Sequence, residues 1–218
     1  MFLSKVVADR KRWDVVHDLE DRDRLHKRLM KFFMPELPGD GLGHLRQQLG
    51  ILFRLENDTI LLQSRVAPNG RQIPGYTFVG TKNVEKNYQR IQVGDHFRFR
   101  LEANTSVRVV EGDSSELWVP GEGGVETKVR TKRIGCGSFP ARAKWLEQMA
   151  RKWCFQPEKY SMDNLSPLRI HGGAMEVTRF EGDLKVLDRM VFLRCLQEGV
   201  GQGKSYGLGM LSIRNRVG

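Results

Sequence analysis

The sequence has few cysteines and no long apolar stretch. Cys136, Cys154 and Cys195 are odd in number, far apart and without a C-x-x-C pair. This pattern argues against a disulfide framework and a structural zinc site, and it indicates a reducing cytoplasm. No apolar run approaches the roughly 20 residues of a membrane-spanning helix, and the N-terminus MFLSKVVADRKRW lacks the residue order of a signal peptide. The sequence therefore predicts a cytoplasmic protein without a membrane partner.

Positive charge is in clear excess. The net charge is +10 and the isoelectric point is about 9.8, which predicts a polyanionic partner, with nucleic acid first and an anionic membrane surface second. With 218 residues, the chain is long enough for one large domain or two small ones.

Glycine is concentrated near the C-terminus, in the stretch GVGQGKSYGLGML at 199–211. The stretch is typical either of a helix C-cap followed by a turn or of a backbone that binds phosphate beside Lys204. A Walker A loop is excluded because Glu198 stands where its first glycine is required. A dinucleotide-binding fingerprint is excluded because the predicted order is helix, loop, strand.

The first half of the chain alternates predicted strands and helices. Leu25, Leu29, Phe32 and Phe33 form one apolar stripe of a helix that begins near Glu20 and ends before Pro35. On a helical wheel His26 lies at the border between this stripe and a basic face. The remaining predicted elements are a strand at Phe2–Ala8, a hairpin of Ile51–Glu56 and Thr59–Gln63, a loop at Ala67–Gly80, a short helix near Val84–Arg90 and a strand at His96–Ala103. This order is compatible with a βαββαβ unit.

The second half repeats the same order without obvious sequence repetition. A Gly- and acid-rich stretch, Gly112–Gly124, is predicted as the inter-domain loop. The predicted elements that follow are a strand at Val125–Ile134, a helix at Phe139–Phe155, a hairpin of Leu165–His171 and Ala174–Phe180, a helix capped by Asp188 and a strand at Met210–Ile213. We therefore expect an α+β protein with domains at 1–111 and 125–218, joined by 112–124.

Several blocks, in this order and spacing, resemble a known family. They are MFLSKVV at the start, LHKRLMKFF with His26, FRFRLEAN at 97–104, ARAKWLEQMA at 141–150, FEGDLKV at 180–186 and GVGQGKSYGLGMLSI at 199–213. Together they resemble the CasE-type CRISPR repeat-RNA processing endoribonucleases of type I-E systems, in the RAMP superfamily. The glycine-rich loop before the final strand is the most specific of these blocks.

The resemblance implies two tandem ferredoxin-like domains and cleavage of precursor CRISPR RNA at the base of the repeat stem-loop. It implies catalysis without a metal or other cofactor, and retention of the product in a multisubunit RNA-guided surveillance complex. The family's catalytic histidine corresponds to His26. Some members carry a tyrosine three residues earlier, where this chain has Asp23.

The chemistry that this family performs defines the candidate catalytic groups. The 2′-OH must lose a proton and the 5′-oxygen must gain one, which leaves a 2′,3′-cyclic phosphate and a 5′-hydroxyl. Histidine suits either step, and the sequence does not decide which step His26 serves. Asp23 is placed to orient His26 or to raise its pKa. Lys31 is the predicted catalytic cation, with Lys27, Lys204 and Ser205 as alternatives.

The predicted RNA-binding residues act mainly through charge or through a glycine backbone. They are Lys27, Arg28, Arg98, Arg100, Lys128, Arg130, Lys132, Arg133, Arg169, Arg179, Gly201, Gly203, Lys204 and Ser205. An edge strand exposed to solvent would also explain the lysines and arginine of 128–132. Two other functions stay open, a non-catalytic RNA-binding subunit of the superfamily and an enzyme acting on a small phosphorylated molecule. We expect a monomer in isolation.

Overall fold

The computed structural model describes residues 1–33, 46–110, 131–170 and 173–216. The strands are β1 (Phe2–Ala8), β2 (Leu52–Glu56), β3 (Thr59–Ser64), β4 (Tyr76–Asn83), β5 (His96–Ala103), β6 (Ser106–Val110), β7 (Thr131–Gly135), β8 (Phe155–Ile170), β9 (Gly173–Val186) and β10 (Ser212–Asn215). The principal helices are α1 (Trp13–Glu20), α2 (Arg22–Met30), α3 (Glu85–Gln89), α4 (Phe139–Lys152) and α5 (Arg189–Glu198). A 3₁₀ turn covers Lys204–Tyr206.

The first sheet is antiparallel and has the strand order β2-β3-β1-β4. β1 is central because Val6 lies opposite Ile60 of β3 and opposite Phe78 of β4. Helix α2 covers this sheet with Leu25 and Leu29, which are buried in one core with Val6 and Ile60. The apolar stripe predicted from the sequence is thus the stripe that this helix buries.

The second sheet is also antiparallel, in the order β10-β5-β9-β8. β5 is central, with Leu101 opposite Phe180 of β9 and Phe99 opposite Ile213 of β10. Its core includes Trp145 of α4 and Phe192 of α5. In both sheets the first strand in sequence lies between the third and the fourth.

One strand belongs to a different sheet from the one predicted. The sequence places His96–Ala103 in the first unit, but β5 pairs with β9 and β10 in the second sheet. The alternating Phe97, Phe99 and Leu101 are buried in the second core, which explains this membership. The fourth place in the first sheet belongs to β4, within a stretch that is predicted as loop. β4 escapes prediction because it is an edge strand with only Tyr76 buried.

The helical region before β2 also differs from its prediction. The charged stretch ahead of Glu20 forms a helix of its own, α1, which buries Val15 and Leu19. Asp21 separates the two helices, and its carboxylate accepts hydrogen bonds from the amides of Asp23 and Arg24, at 2.9 and 3.2 Å. It is therefore the N-cap of α2 rather than a residue of its first turn.

The predicted hairpins are present, and the second one is much longer than expected. Asn57 adopts a positive φ of 56° in the turn between β2 and β3, as its Asn-Asp sequence predicts. β8 and β9 extend the predicted second hairpin to 16 and 14 residues. Register shifts interrupt this long ladder between Pro157 and Tyr160 and between Leu165 and Leu168.

The expected first strand of the second unit occupies a separate ribbon. β7 pairs only with β6 among the described strands, with Ile134 opposite Val107. The structure describes the predicted strand at Val125–Ile134 only from Thr131 onward. This described part belongs to the ribbon with β6 and not to the second sheet. The predicted inter-domain loop lies outside the described residues.

Polar side chains join the two sheets. Gln63 of β3 donates from Nε2 to the carbonyl of Leu196 in α5 at 2.5 Å. Arg54 of β2 donates to the Oγ of Ser212 in β10 at 2.7 Å. Gln63 and Arg54 are 1% and 5% exposed, so these bonds lie inside the junction between the sheets.

Candidate active site

The capping of α2 directs His26 inward. The helix starts at the Asp21 cap, and Leu25 and Leu29 fix the buried face. His26 follows Leu25 and is only 9% exposed, so it lies deeper than the border position that the wheel predicts. Its Nε2 is buried and has no hydrogen-bond partner among the described residues.

Burial changes the acid–base behaviour of His26. The pKa falls from 6.5 to about 4, chiefly because burial penalises the imidazolium. Arg46 and Lys27 lower the pKa further by charge repulsion, whereas the Asp23 carboxylate raises it. At neutral pH the ring is therefore uncharged, and Asp23 acts in the direction that the sequence predicts.

The glycine-rich stretch folds into a closed loop between α5 and β10. The amide of Val200 donates to the carbonyl of Gly209 at 2.8 Å, and the amide of Gly209 donates to Glu102 of β5 at 2.6 Å. Gly209 has a φ of 82°, and a Cβ there would lie 2.4 Å from the Val200 carbonyl oxygen. A side chain at this position would break the closure of the loop.

The loop is a structural element that approaches α2, the helix that carries His26. Its 3₁₀ turn packs against α2, and the Tyr206 hydroxyl interacts with the Asp23 carboxylate. Burial and this contact raise the pKa of Tyr206. The interpretation as a helix C-cap followed by a turn is confirmed, since Gly199 follows the helix end and a 3₁₀ turn begins at Lys204. The interpretation as a phosphate-binding backbone stays a prediction.

Lys204 is half-buried beside another cation. Burial lowers its pKa, Arg46 lowers it as well, and Glu198 raises it. Arg46 therefore acts electrostatically on both His26 and Lys204. It is held in place by a hydrogen bond from Nη1 to the carbonyl of Ile51, at 3.1 Å.

The other loop residues predicted to bind RNA are partly covered by side chains. A Cβ at Gly201 would lie 3.0 Å from the Trp145 ring, and one at Gly203 would lie 3.0 Å from Leu208. Ser205 is half-buried in the 3₁₀ turn. These positions support the shape of the loop, and no described contact tests their predicted RNA binding.

The predicted basic residues of α2 differ in how freely they can act. Lys27 and Lys31 are exposed, and Lys31 is the C-cap of the helix. Arg28 instead forms a 2.7 Å ion pair with Asp18, which is 2% exposed and also accepts a hydrogen bond from Tyr76. The structure thus gives Arg28 a role in holding α1 and α2 together.

Carboxylates also accompany the predicted arginines of the second sheet. Arg100 contacts Glu56 at 2.7 Å and also pairs with Glu181. Arg179 pairs with Glu102 at 2.8 Å, and Arg98 lies 3.9 Å from Asp183. Because these carboxylates offset the positive charge, this face is less basic than the sequence suggests.

The remaining predicted RNA-binding residues follow the hairpins. Arg169 is exposed near the end of β8. Lys132 and Arg133 lie on β7, and the structure does not describe their side chains. Lys128 and Arg130 fall outside the described residues.

Sequence reasoning misses four residues near the site. Arg46 and Arg65 are isolated in sequence, and no motif marks them. Arg22 begins α2, and its buried Nε has no hydrogen-bond partner among the described residues. Burial lowers the pKa of Arg22, and the Glu102 charge opposes this by favouring the cationic form. Tyr206 carries the only available signal, since it directly follows Lys204 and Ser205 in the glycine-rich stretch.

Two classes of feature are absent from the described part of the chain. No group of three or more His, Cys, Asp or Glu side chains is arranged to hold a metal ion. No helix within the same ranges has the length and apolar character needed to cross a membrane.

Comparisons with known proteins agree on one family. A family model described as CRISPR associated protein matches residues 1–215. The chain is 26% identical over 219 residues to the CRISPR-associated endoribonuclease Cse3 of Thermus thermophilus, covering 98% of this chain and 99% of that protein. It is also 26% identical over 224 residues to the CRISPR system Cascade subunit CasE of Escherichia coli, covering 98% of both. A structure of the CRISPR endoribonuclease Cse3 bound to a 19-nucleotide RNA superposes with a TM-score of 0.77 over 98% of both chains, at 23% identity, and so has the same fold.

Proposed function

The chain belongs to the CRISPR-associated protein family, and we propose that it is an endoribonuclease that cuts precursor CRISPR RNA at the base of the repeat stem-loop. Its relatives are named as an endoribonuclease and as a subunit of the Cascade complex. The protein accordingly keeps its RNA product and joins other subunits in an RNA-guided surveillance complex. The free cysteines Cys136, Cys154 and Cys195 suit a cytoplasmic location.

The fold proposed for this function is a pair of tandem ferredoxin-like units. Each sheet has the order second, third, first, fourth strand with antiparallel neighbours, as the βαββαβ topology requires. The second unit supplies both crossover helices, α4 and α5. The first supplies α1 and α2 in its first crossover, whereas α3 follows its last strand. The unit boundary accordingly lies between β4 and β5, ahead of the boundary that the sequence predicts.

The observation that carries the proposed activity is the buried Nε2 of His26, which has no hydrogen-bond partner among the described residues. The ring is uncharged at pH 7 and can accept a proton, but its pKa of about 4 makes it a weak base unless neighbouring groups favour the imidazolium. His26 is therefore the general base, which takes the proton of the 2′-OH. The 2′-oxygen then bonds to phosphorus, the bond from phosphorus to the 5′-oxygen breaks, and a 2′,3′-cyclic phosphate results.

Cations complete this chemistry without a metal ion. Negative charge develops on the phosphate oxygens in the transition state, and lysine ammonium groups offset it. Lys204 gives a proton to the departing 5′-oxygen, a role that suits an ammonium whose pKa is lowered by burial. Lys31, exposed at the end of α2, contributes further positive charge. Asp23 favours the imidazolium of His26 after it has taken the proton.

The test is cleavage of a stem-loop repeat RNA in EDTA by wild type and His26→Ala, with His17→Ala as the matched control. His17 lies on the neighbouring helix α1 and is exposed. Wild type and the control should give one cut with a cyclic-phosphate end, and His26→Ala should bind RNA but cut at least about 100-fold more slowly.

Three other results would count against parts of the proposal. Equal cutting by His26→Ala would remove His26 from the chemistry. Loss of wild-type cutting in EDTA that Mg²⁺ restores would overturn the metal-free step. Tight binding without cutting by any variant would identify a non-catalytic RNA-binding subunit.

A further inference from the structure

A basic cavity of about 440 Å³ lies where the glycine-rich loop meets the first sheet. Its lining includes Arg46, which lowers the pKa of His26, and Lys204, which begins the 3₁₀ turn that packs against α2. Its polar lining consists of Arg46, Gln47, Arg65, Gln197, Glu198 and Lys204.

The charge in this cavity is unbalanced. Among the residues that the structure describes, its lining has three cationic groups, Arg46, Arg65 and Lys204, and one carboxylate, Glu198. Glu198 is shared with Arg194, which lies 3.4 Å away at the i−4 position of α5. Within this described lining, positive charge thus exceeds negative charge by two.

The placement of Arg46 and Lys204 costs free energy as the protein stands. Burial disfavours the charge on each, and Arg46 further disfavours the charge on Lys204. Half-buried like charges are stabilised when an anion lies between them. The amides of Gln47 and Gln197 add neutral hydrogen-bond donors to the same lining.

We propose that this cavity binds one backbone phosphate of the RNA substrate and thereby holds the strand beside His26. The proposal rests on the proposed ribonuclease function and adds a substrate subsite to it. The described lining contains no aromatic side chain, so this part of the cavity offers no surface on which a base would stack. The ligand is therefore the phosphodiester itself, read by charge.

Occupancy of this subsite affects catalysis through Arg46. In the free protein Arg46 repels a proton on His26. A phosphate bound to Arg46 offsets that repulsion, so the imidazolium forms more readily once RNA is in place. The same contact that positions the strand therefore favours proton transfer from the 2′-OH.

The experiment compares RNA binding by full-length wild type, Arg65→Gln and Lys204→Gln, with Arg90→Gln as the matched control. Arg65 and Arg90 are both exposed arginines that line cavities, but Arg90 lines a different one. The probe is a stem-loop repeat RNA with a 2′-deoxy residue at the cut site, which binds without being cleaved.

The expected result is weaker binding with a reduced dependence on salt. Each cavity variant should bind about tenfold more weakly at 0.1 M salt, which is typical for one charge-assisted contact. Its slope of log K against log salt should be shallower by about 0.7 to 0.9, corresponding to one phosphate contact. Arg90→Gln should keep the wild-type affinity and slope.

Neutral linkages then locate the contact. In a series of RNAs with one methylphosphonate each, one linkage should weaken wild-type binding and have no further effect on Arg65→Gln or Lys204→Gln. Purely additive losses at every linkage would overturn the subsite.

If wild type binds no stem-loop RNA, the proposed function itself fails. If wild type binds and cuts while the cavity variants behave like Arg90→Gln, only the subsite fails. Stoichiometric binding of inorganic phosphate without RNA, lost in Arg65→Gln, would assign the cavity to a free anion instead.

Discussion

The buried His26 makes a specific prediction about the pH dependence of folding. Its pKa is about 4 in the folded protein, against an ordinary value of 6.5. Between these two values the unfolded chain binds more protons than the folded one, so the free energy of unfolding falls as the pH falls. The contribution of His26 is complete above pH 6.5 and is lost as the pH decreases toward 4.

The two pKa values set the size of the effect. Their difference is 6.5 − 4 = 2.5, which corresponds to about 3–4 kcal/mol at about 1.4 kcal/mol per pKa unit. Since the free energy of unfolding of a protein is usually about 5–15 kcal/mol, this loss is large enough to measure. His26→Gln removes the titrating group and keeps a polar side chain, so its curve should lack this component.

The measurement is urea unfolding of wild type and His26→Gln at steps from pH 7.5 to pH 4.5, and the observable is the difference between them. Taking this difference cancels the contributions of all carboxylates and of the other histidines to the pH dependence, because both proteins contain these groups. The difference in the free energy of unfolding between wild type and His26→Gln should change by about 2–3 kcal/mol from pH 7.5 to pH 4.5, with wild type losing stability at low pH. A His17→Gln protein is the matched control, because it replaces an exposed histidine on the neighbouring helix α1. Parallel curves for wild type and His26→Gln would show that the His26 ring is solvated in the folded protein, which would refute the burial argument.

Two further predictions concern the loop that meets α2. Because the Tyr206 hydroxyl interacts with the Asp23 carboxylate, Tyr206→Phe and Asp23→Asn should each lower the free energy of unfolding. A double-mutant cycle should give a coupling energy of about 0.5–1.5 kcal/mol between the two side chains. Fully additive losses would mean that the two side chains do not interact. Gly207→Ala should be clearly more destabilising than Gly94→Ala in thermal unfolding. Both glycines have positive φ, 83° and 91°, but only a Cβ at Gly207 meets a side chain, at 2.7 Å from the Phe53 ring. Equal losses would show that Phe53 moves away without cost.

Local sequence patterns account for the elements that make their own contacts. The α2 stripe of Leu25 and Leu29 is buried as the 3.6-residue period predicts, and Asp188 caps α5 by accepting a hydrogen bond from Val191 at 2.9 Å. β4 has no such pattern, because an edge strand buries few side chains. The sheet that β5 joins is equally hidden from local reasoning, since alternation predicts a strand but does not name its partners.

The candidate site shows the same division. His26 is identified by resemblance to a family, because a single helical histidine carries no chemical signature of its own. Its burial depends on side chains from other elements, and Arg46 comes close only in three dimensions. The charge patterns of Arg100 and Arg179 likewise predict exposed cations, whereas the carboxylates that pair with them come from neighbouring strands. In each case, a local sequence pattern does not reveal the contacting residue, because that residue comes from a distant segment of the chain.

The placement of β5 explains why the helix and the glycine-rich loop meet at all. Glu102 of this strand accepts a hydrogen bond from Gly209 through its carbonyl, which fixes the end of the loop to the second sheet. The Glu102 carboxylate also pairs with Arg179 and favours the charge on Arg22, the first residue of α2. The first sheet holds α2, the second holds the loop, and Glu102 lies where the two come together. If β5 were the last strand of the first sheet, the loop would lose this attachment, and Lys204 and Tyr206 would not be carried to α2. The proposed active site therefore depends on the junction, and a substitution that loosens the junction should impair cleavage even at a residue with no proposed role in the chemistry.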